Sequence, residues 1–179
     1  GYGQLAGTDH DDVWVGAADG HSTISAGAGN DTIILRGEAN TALGGIGDDV
    51  IYGSDGDDVI YGEQGNDTLH GGDGNDVILG DEGDDLIYGD CGHDLIHGGE
   101  GDDLIYGGEG NDLIFGGPGD NTIYGGEGAD TFGWQSIDDL AGGDTRLDIQ
   151  FAGGDRSSCV GVIGQGGAGV GEPLSSHDY

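Results

Sequence analysis

Methionine is absent from the 179 residues, and proline and cysteine occur twice each. Basic residues are almost missing as well. Three Lys plus Arg stand against 36 Asp plus Glu, for a formal charge of −33. Nucleic acid is excluded as a partner, because its phosphates would be repelled. An anionic membrane surface is disfavoured for the same reason. No apolar run approaches the roughly 20 residues of a membrane span, so no membrane span is expected. The two thiols, Cys91 and Cys159, do not make a disulfide framework and are expected to have no chemical role. The sequence starts at Gly1 and contains no Met, so it is expected to be a fragment or a processed product. High net charge with few aromatics is the composition of a disordered chain, unless something orders the charge.

Glycine is what the chain has in excess, with 45 residues, and it recurs in phase. From Gly44 the sequence reads GGIGDDVIY, GSDGDDVIY, GEQGNDTLH, GGDGNDVIL, GDEGDDLIY, GDCGHDLIH, GGEGDDLIY, GGEGNDLIF, GGPGDNTIY and GGEGADTFG: ten nonads over 44–133 without insertion. Positions 1 and 4 are Gly in all ten, and position 6 is Asp in nine, with Asn121 the exception. Position 8 is Ile in eight, replaced by Leu69 and Phe132. Upstream the phase weakens. Residues 26–34 (AGAGNDTII) are a good nonad, 35–43 keep the length with Asn40 at position 6, and 17–25 carry Ser22 there. Residues 7–15 (GTDHDDVWV) look like an edge turn offset by one residue. Weak terminal repeats are usual where a stack must be capped.

Six residues of Gly and Asp read as a turn, and the x-U-x that follows as a three-residue strand with U on one face. One turn and one strand reverse the chain across a flat roll. Two nonads then complete a coil, and residues 18 apart stack at about 4.8 Å. The fold class is therefore all-β, a parallel β-roll or β-solenoid. Its core is a ladder of Ile51, Ile60, Leu69, Ile78, Ile87, Ile96, Ile105, Ile114, Ile123 and Phe132. One aliphatic residue in nine is a thin core, so the chain alone is expected to be unstable.

Stacked position-6 carboxylates repel one another unless a cation lies between them. One column runs Asp31, Asp49, Asp67, Asp85, Asp103, Asn121, and the other Ser22, Asn40, Asp58, Asp76, Asp94, Asp112, Asp130. Adjacent Asp pairs number four in each column, so about eight Ca2+ ions are expected, with weaker sites where Asn121, Asn40 or Ser22 replaces a carboxylate. Calcium suits all-oxygen donors in flexible geometry, magnesium demands a tighter octahedron, and zinc wants nitrogen and sulfur. The calcium acts as the missing core, and folding is expected to depend on it.

The pattern G-G-x-G-x-D-x-U-x resembles the RTX family of calcium-binding nonapeptide repeats, strongly over 44–133 and weakly back to about residue 7. The resemblance implies a calcium-stabilised parallel β-roll, type I secretion and calcium-driven folding outside the cell. Secreted, extracellular or cell-surface location follows from it. It also implies that backbone carbonyls complete the sites, near Gly44, Gly47, Gly53, Gly56, Gly62, Gly65, Gly71, Gly74, Gly80, Gly83, Gly89, Gly92, Gly98, Gly101, Gly107 and Gly110. Residues 129–156 resemble the segment after the repeats in serralysin-type exoproteins, whereas 157–179 depart from that pattern and are expected to be loosely ordered. Trp134, Phe132 and Phe151 are expected to plug the last coil. The organisation expected is 1–25 as degenerate capping repeats, 26–133 as β-roll and 134–179 as cap and tail.

Nothing in the sequence supports catalysis. His93 and His97 lie on a turn and a strand with no HExxH, and Asp pairs such as Asp48–Asp49 recur too often to be glycosidase carboxylates. Position 3 is acidic and irregular, unlike an ice-binding array. Position 9 is aromatic in much of the roll, with Tyr52, Tyr61, Tyr88, Tyr106, Phe115 and Tyr124 beside His70 and His97. Those rings either stiffen the strands or form a docking or self-association face. Two functions remain open: a calcium-responsive folding module of an exported protein, whose other domains would be its partners, or an adhesive module of a surface layer or biofilm that self-associates in calcium.

Overall fold

The computed structural model describes residues 3–17, 21–133, 148–150 and 158–160. Among the described residues, seventeen strands run from β1 (Gly3–Ala6) to β17 (Ser158–Val160). Odd-numbered strands form one nine-stranded sheet and even-numbered strands an eight-stranded one, every pairing parallel. The chain therefore crosses from one sheet to the other at each turn and climbs as a β-solenoid, with two nonads per coil. Strand β7 (Val59–Gln64) lies between β5 (Thr41–Ile46) and β9 (Val77–Glu82), with Ile60 opposite Ala42 and Ile78. Among the described residues no helix is long and apolar enough to cross a membrane.

The strands are longer than the sequence pattern predicts. In the middle of the roll, from β7 to β12 (Leu104–Glu109), each spans six residues, positions 7 to 9 and positions 1 to 3 of the next nonad, as in β10 (Leu86–Cys91). Only positions 4 to 6 turn. Parallel pairing is made by backbone groups, so glycines can join the ladder without side chains to pack. The bend falls inside the strand, at position 2, which adopts a positive φ: 105° at Gly72 and 114° at Gly108. Glu63, Asp81 and Asp90 take the same region at 72–78°, where a β-carbon is disfavoured.

Pleating then decides what faces inward. Positions 6, 8 and the next position 1 alternate to the interior, so Asp85, Ile87 and Gly89 are all buried. Ile51, Ile60, Leu69, Ile78, Ile87, Ile96, Ile105 and Ile114 are 0 % exposed, and Ile123 and Phe132 close the ladder at 2 % and 1 %. Ile24, Ile33 and Ala42 extend it toward the N-terminus, with Trp14 packed against it. Trp14 in β2 (Val13–Val15) sits opposite Ile33, so the first coil is one residue longer than the others.

The ladder also outlasts the sequence period. β16 (Asp148–Gln150) and β17 add parallel strands to β14 (Thr122–Glu127) and β15 (Thr131–Gly133). Three residues of the 157–179 stretch are thus strand. The rest of that stretch lies outside the described residues, as do Trp134 and Phe151 with their expected plugging role.

Candidate metal centre

Each position-6 aspartate uses its two carboxylate oxygens differently. Oδ1 accepts the backbone amide of the position-6 residue one coil earlier. Asp31 donates to Asp49 at 2.7 Å, Asp67 to Asp85 at 2.8 Å and Asp76 to Asp94 at 2.8 Å. These hydrogen bonds run up both columns, and Asp49, Asp67, Asp76, Asp85, Asp94 and Asp103 are at most 2 % exposed. Oδ2 is the exception to local satisfaction. In Asp31, Asp49, Asp67, Asp76, Asp85, Asp94 and Asp103 it is buried with no hydrogen-bond partner.

From Asp49 to Asp103 those oxygens point into the hollow of their own turn. A β-carbon on Gly80 would strike Asp85 Oδ2 and the carbonyl oxygen of Gly98 in the next coil. Gly62 stands in the same relation to Asp67 and Gly80, and Gly98 to Asp103 and Gly116. Position 1 is glycine because a carboxylate oxygen and a carbonyl oxygen share the space a methyl group would need. Position 4 is glycine for a second reason. Gly83 has φ 134°, and a β-carbon there would overlap the carbonyl of Gly65 one coil earlier.

Burial pushes the carboxyls of Asp49, Asp67, Asp85, Asp94 and Asp103 up to about 7, and that of Asp76 to about 6. Desolvation is the largest cause. The amide bond to Oδ1 opposes it, and neighbouring carboxylates add to it, as Asp103 does at Asp85. A buried, half-satisfied carboxylate is costly unless a positive charge meets it. Among the described residues no three His, Cys, Asp or Glu side chains group together as metal ligands. A cation in the hollow must therefore draw on backbone oxygen too. Carboxylate and carbonyl oxygens in a glycine-lined turn fit a hard cation of flexible coordination, which is calcium, and offer no nitrogen or sulfur to zinc.

The turns are not all alike. Asp58 Oδ2 accepts from the amide and hydroxyl of Ser54 at 2.8 and 2.9 Å. Asn121 places Oδ1 on the Asp103 amide and turns Nδ2 to the Gly117 carbonyl at 2.9 Å. Two features were not foreseen from sequence. Asp12 joins the first column, its amide 2.6 Å from Asp31 Oδ1. The insertion of one residue before Asp31 hides it from an 18-residue period. Position 5 forms a second, oppositely directed ladder, in which the amide of Asp84 donates to Asn66 Oδ1 and that of Asp102 to Asp84 Oδ1, at 2.9 and 2.8 Å. The recurrence of Asp, Asn and His at position 5 was its signal.

The position-9 rings stack along the even-numbered sheet. Tyr52, His70, Tyr88, Tyr106 and Tyr124 lie in one row with centroids 4.5–5.1 Å apart and planes within 17°. Asp90 holds His70 from the side at 3.2 Å.

No curated protein matches the chain. The family profile described as RTX calcium-binding nonapeptide repeat (4 copies) matches residues 6–42, 36–69, 61–96, 70–105 and 97–132. Those matches cover the stacked turns whose aspartates line the hollows, from the edge turn at the N-terminus to the coil closed by Phe132. The chain belongs to the RTX calcium-binding nonapeptide-repeat family.

Proposed function

We propose that this chain is a calcium-dependent folding module of an exported protein, in which the ion replaces the hydrophobic core the sequence does not supply. One observation carries the reading: buried Oδ2 atoms without a hydrogen-bond partner, which at Asp49, Asp67, Asp76, Asp85, Asp94 and Asp103 face a glycine-lined hollow with a carbonyl oxygen beside it. The ligands are the position-6 aspartates of both columns, with carbonyls of the position-1 and position-4 glycines. About eight ions load the roll, and the weak repeats before residue 26 and the segment after 133 close its ends. Secretion by a type I system before folding fits a chain that stays open where calcium is scarce and closes where it is plentiful. The module itself performs no chemistry, and any catalytic activity belongs to other parts of the protein.

The row of stacked rings bears on the adhesive alternative. The rings cover one another's faces, which supports a strand-stiffening role over a docking one. Circular dichroism during a calcium titration tests the main reading. Disordered signal in chelator should convert to β signal with a sharp calcium midpoint. Full β signal in excess chelator would sink it.

A further inference from the structure

One coil junction is already closed without an ion. Asn40 is 3 % exposed and Asp58 is 1 % exposed. The Asn40 amide donates to Asp58 Oδ1, and its Nδ2 donates both to that oxygen and to Ser54 Oγ, at 3.0 Å each. Ser54 completes the set. Its amide holds Asp58 Oδ2, and its hydroxyl proton is placed to reach either that oxygen or the Gly37 carbonyl at 3.0 Å. Every oxygen of this carboxylate has a donor, in contrast to Asp49 or Asp76 in the turns around it.

The backbone differs in the same place. Ser54 lies outside the positive-φ region taken by Gly45, Glu63 and Gly72 at the same position. The space beside Gly53 is bounded by the carbonyls of Gly71 and His70 instead of the carboxylate of Asp58. The edge turn repeats the solution, with the Thr8 amide and hydroxyl both on Asp12 Oδ2 at 2.9 and 2.8 Å. A hydroxyl at position 2 thus does locally what a cation would do elsewhere.

We propose that the Asn40–Ser54–Asp58 junction is a hydrogen-bonded clasp that takes no calcium, so that the array is interrupted at the turn 53–58. This deepens the calcium reading above, rests on it, and removes Asp58 from the ligands that reading names. Charge points the same way. The amide and hydroxyl of Ser54 face Asp58 Oδ2, and a cation would have to displace both before reaching that oxygen. Polar satisfaction of this kind leaves no desolvation penalty for an ion to relieve.

Counting calcium bound per chain by equilibrium dialysis tests it, using the full chain and two substitutions. Ser54→Gly installs the residue that neighbouring turns use and frees Asp58 Oδ2, so it should bind one ion more than the parent. Ser54→Ala removes the hydroxyl without restoring the hollow, so its count should equal the parent's. An unchanged or lower count for folded Ser54→Gly overturns the clasp. So does loss of an ion in Ser54→Ala, which would make the hydroxyl a ligand, and this arm stands if Ser54→Gly does not fold. A parent chain that binds no calcium fails differently. It removes the calcium reading itself, whatever the variants do.

Discussion

The amide of Asp67 donates to Oδ1 of Asp85, 18 residues on, at 2.8 Å, while Oδ2 of Asp85 is buried and unpartnered. The same carboxylate therefore serves two ends. One oxygen fixes the register between coils. The other stores a penalty that only a cation or a proton relieves.

Asp85→Asn separates those two ends. The amide oxygen can keep the Asp67 bond, and the amide nitrogen can donate to the carbonyl at position 2 of its turn, as Asn121 does to Gly117. Calcium bound per chain should fall by one. In chelator the variant should be more stable than the parent by roughly 1–3 kcal/mol, the penalty of an unsatisfied buried group. Isothermal calorimetry measures the first, and the second reads as more residual β signal than the parent by circular dichroism in chelator at neutral pH. A variant less stable than the parent in chelator would show that Oδ2 carries no penalty in the folded chain.

Gly80→Ala tests the hollow from its other wall. The new methyl would meet Asp85 Oδ2 and the Gly98 carbonyl, so both donors must retreat. Binding at that turn should be lost, and the calcium midpoint for folding should rise. The backbone itself is not the obstacle, because Gly80 does not have a positive φ. Calcium stoichiometry equal to that of the parent would show that the ion sits elsewhere in the turn.

Proton linkage gives the pH dependence a definite sign. The folded-state carboxyls of Asp49, Asp67, Asp85, Asp94 and Asp103 titrate at about 7, above the ordinary value of about 3.9. Between those values the folded chain binds more protons than the unfolded one, so stability without metal falls as pH rises. The contribution of these groups is complete at or below about pH 4 and lost above about pH 7. Calcium competes with the same protons, so its affinity should fall as pH drops below about 7. In chelator, β signal should be stronger near pH 4.5 than at pH 8, and in calcium the midpoint should move to higher concentration on acidification. A chelated chain that gains β signal as pH rises would contradict the burial of these groups.

The phase of Gly and Asp makes the fold class and both columns legible, because a nine-residue period with an inward Ile admits few other foldings. What the sequence conceals is how far along each nonad the 18-residue pairing runs. Positions 1 to 3 look like turn by composition, yet they are strand, since their partners are the same positions one coil away. A positive φ at Glu63, Asp81 and Asp90 defeats any rule that looks for glycine. Asp12 is hidden by a one-residue slip. Ser54 reads as an unremarkable substitution until its hydroxyl is seen against Asp58.

Asn66→Ala asks whether position 5 binds metal or only ties coils together. Asn66 Oδ1 accepts the amide of Asp84, and its own amide donates to Asp48 Oδ1, each at 2.9 Å. The alanine keeps the second bond and loses the first. Its site is exposed, so water can take the orphaned amide, and the cost should be about 0.5–1.5 kcal/mol. Ala129 occupies position 5 in the last full nonad and still donates to Asn111 at 2.8 Å, so the fold accepts alanine there. Bound calcium should be unchanged and the thermal midpoint in calcium slightly lower. Loss of an ion in Asn66→Ala would move position 5 from the coil-to-coil ladder into the metal sites.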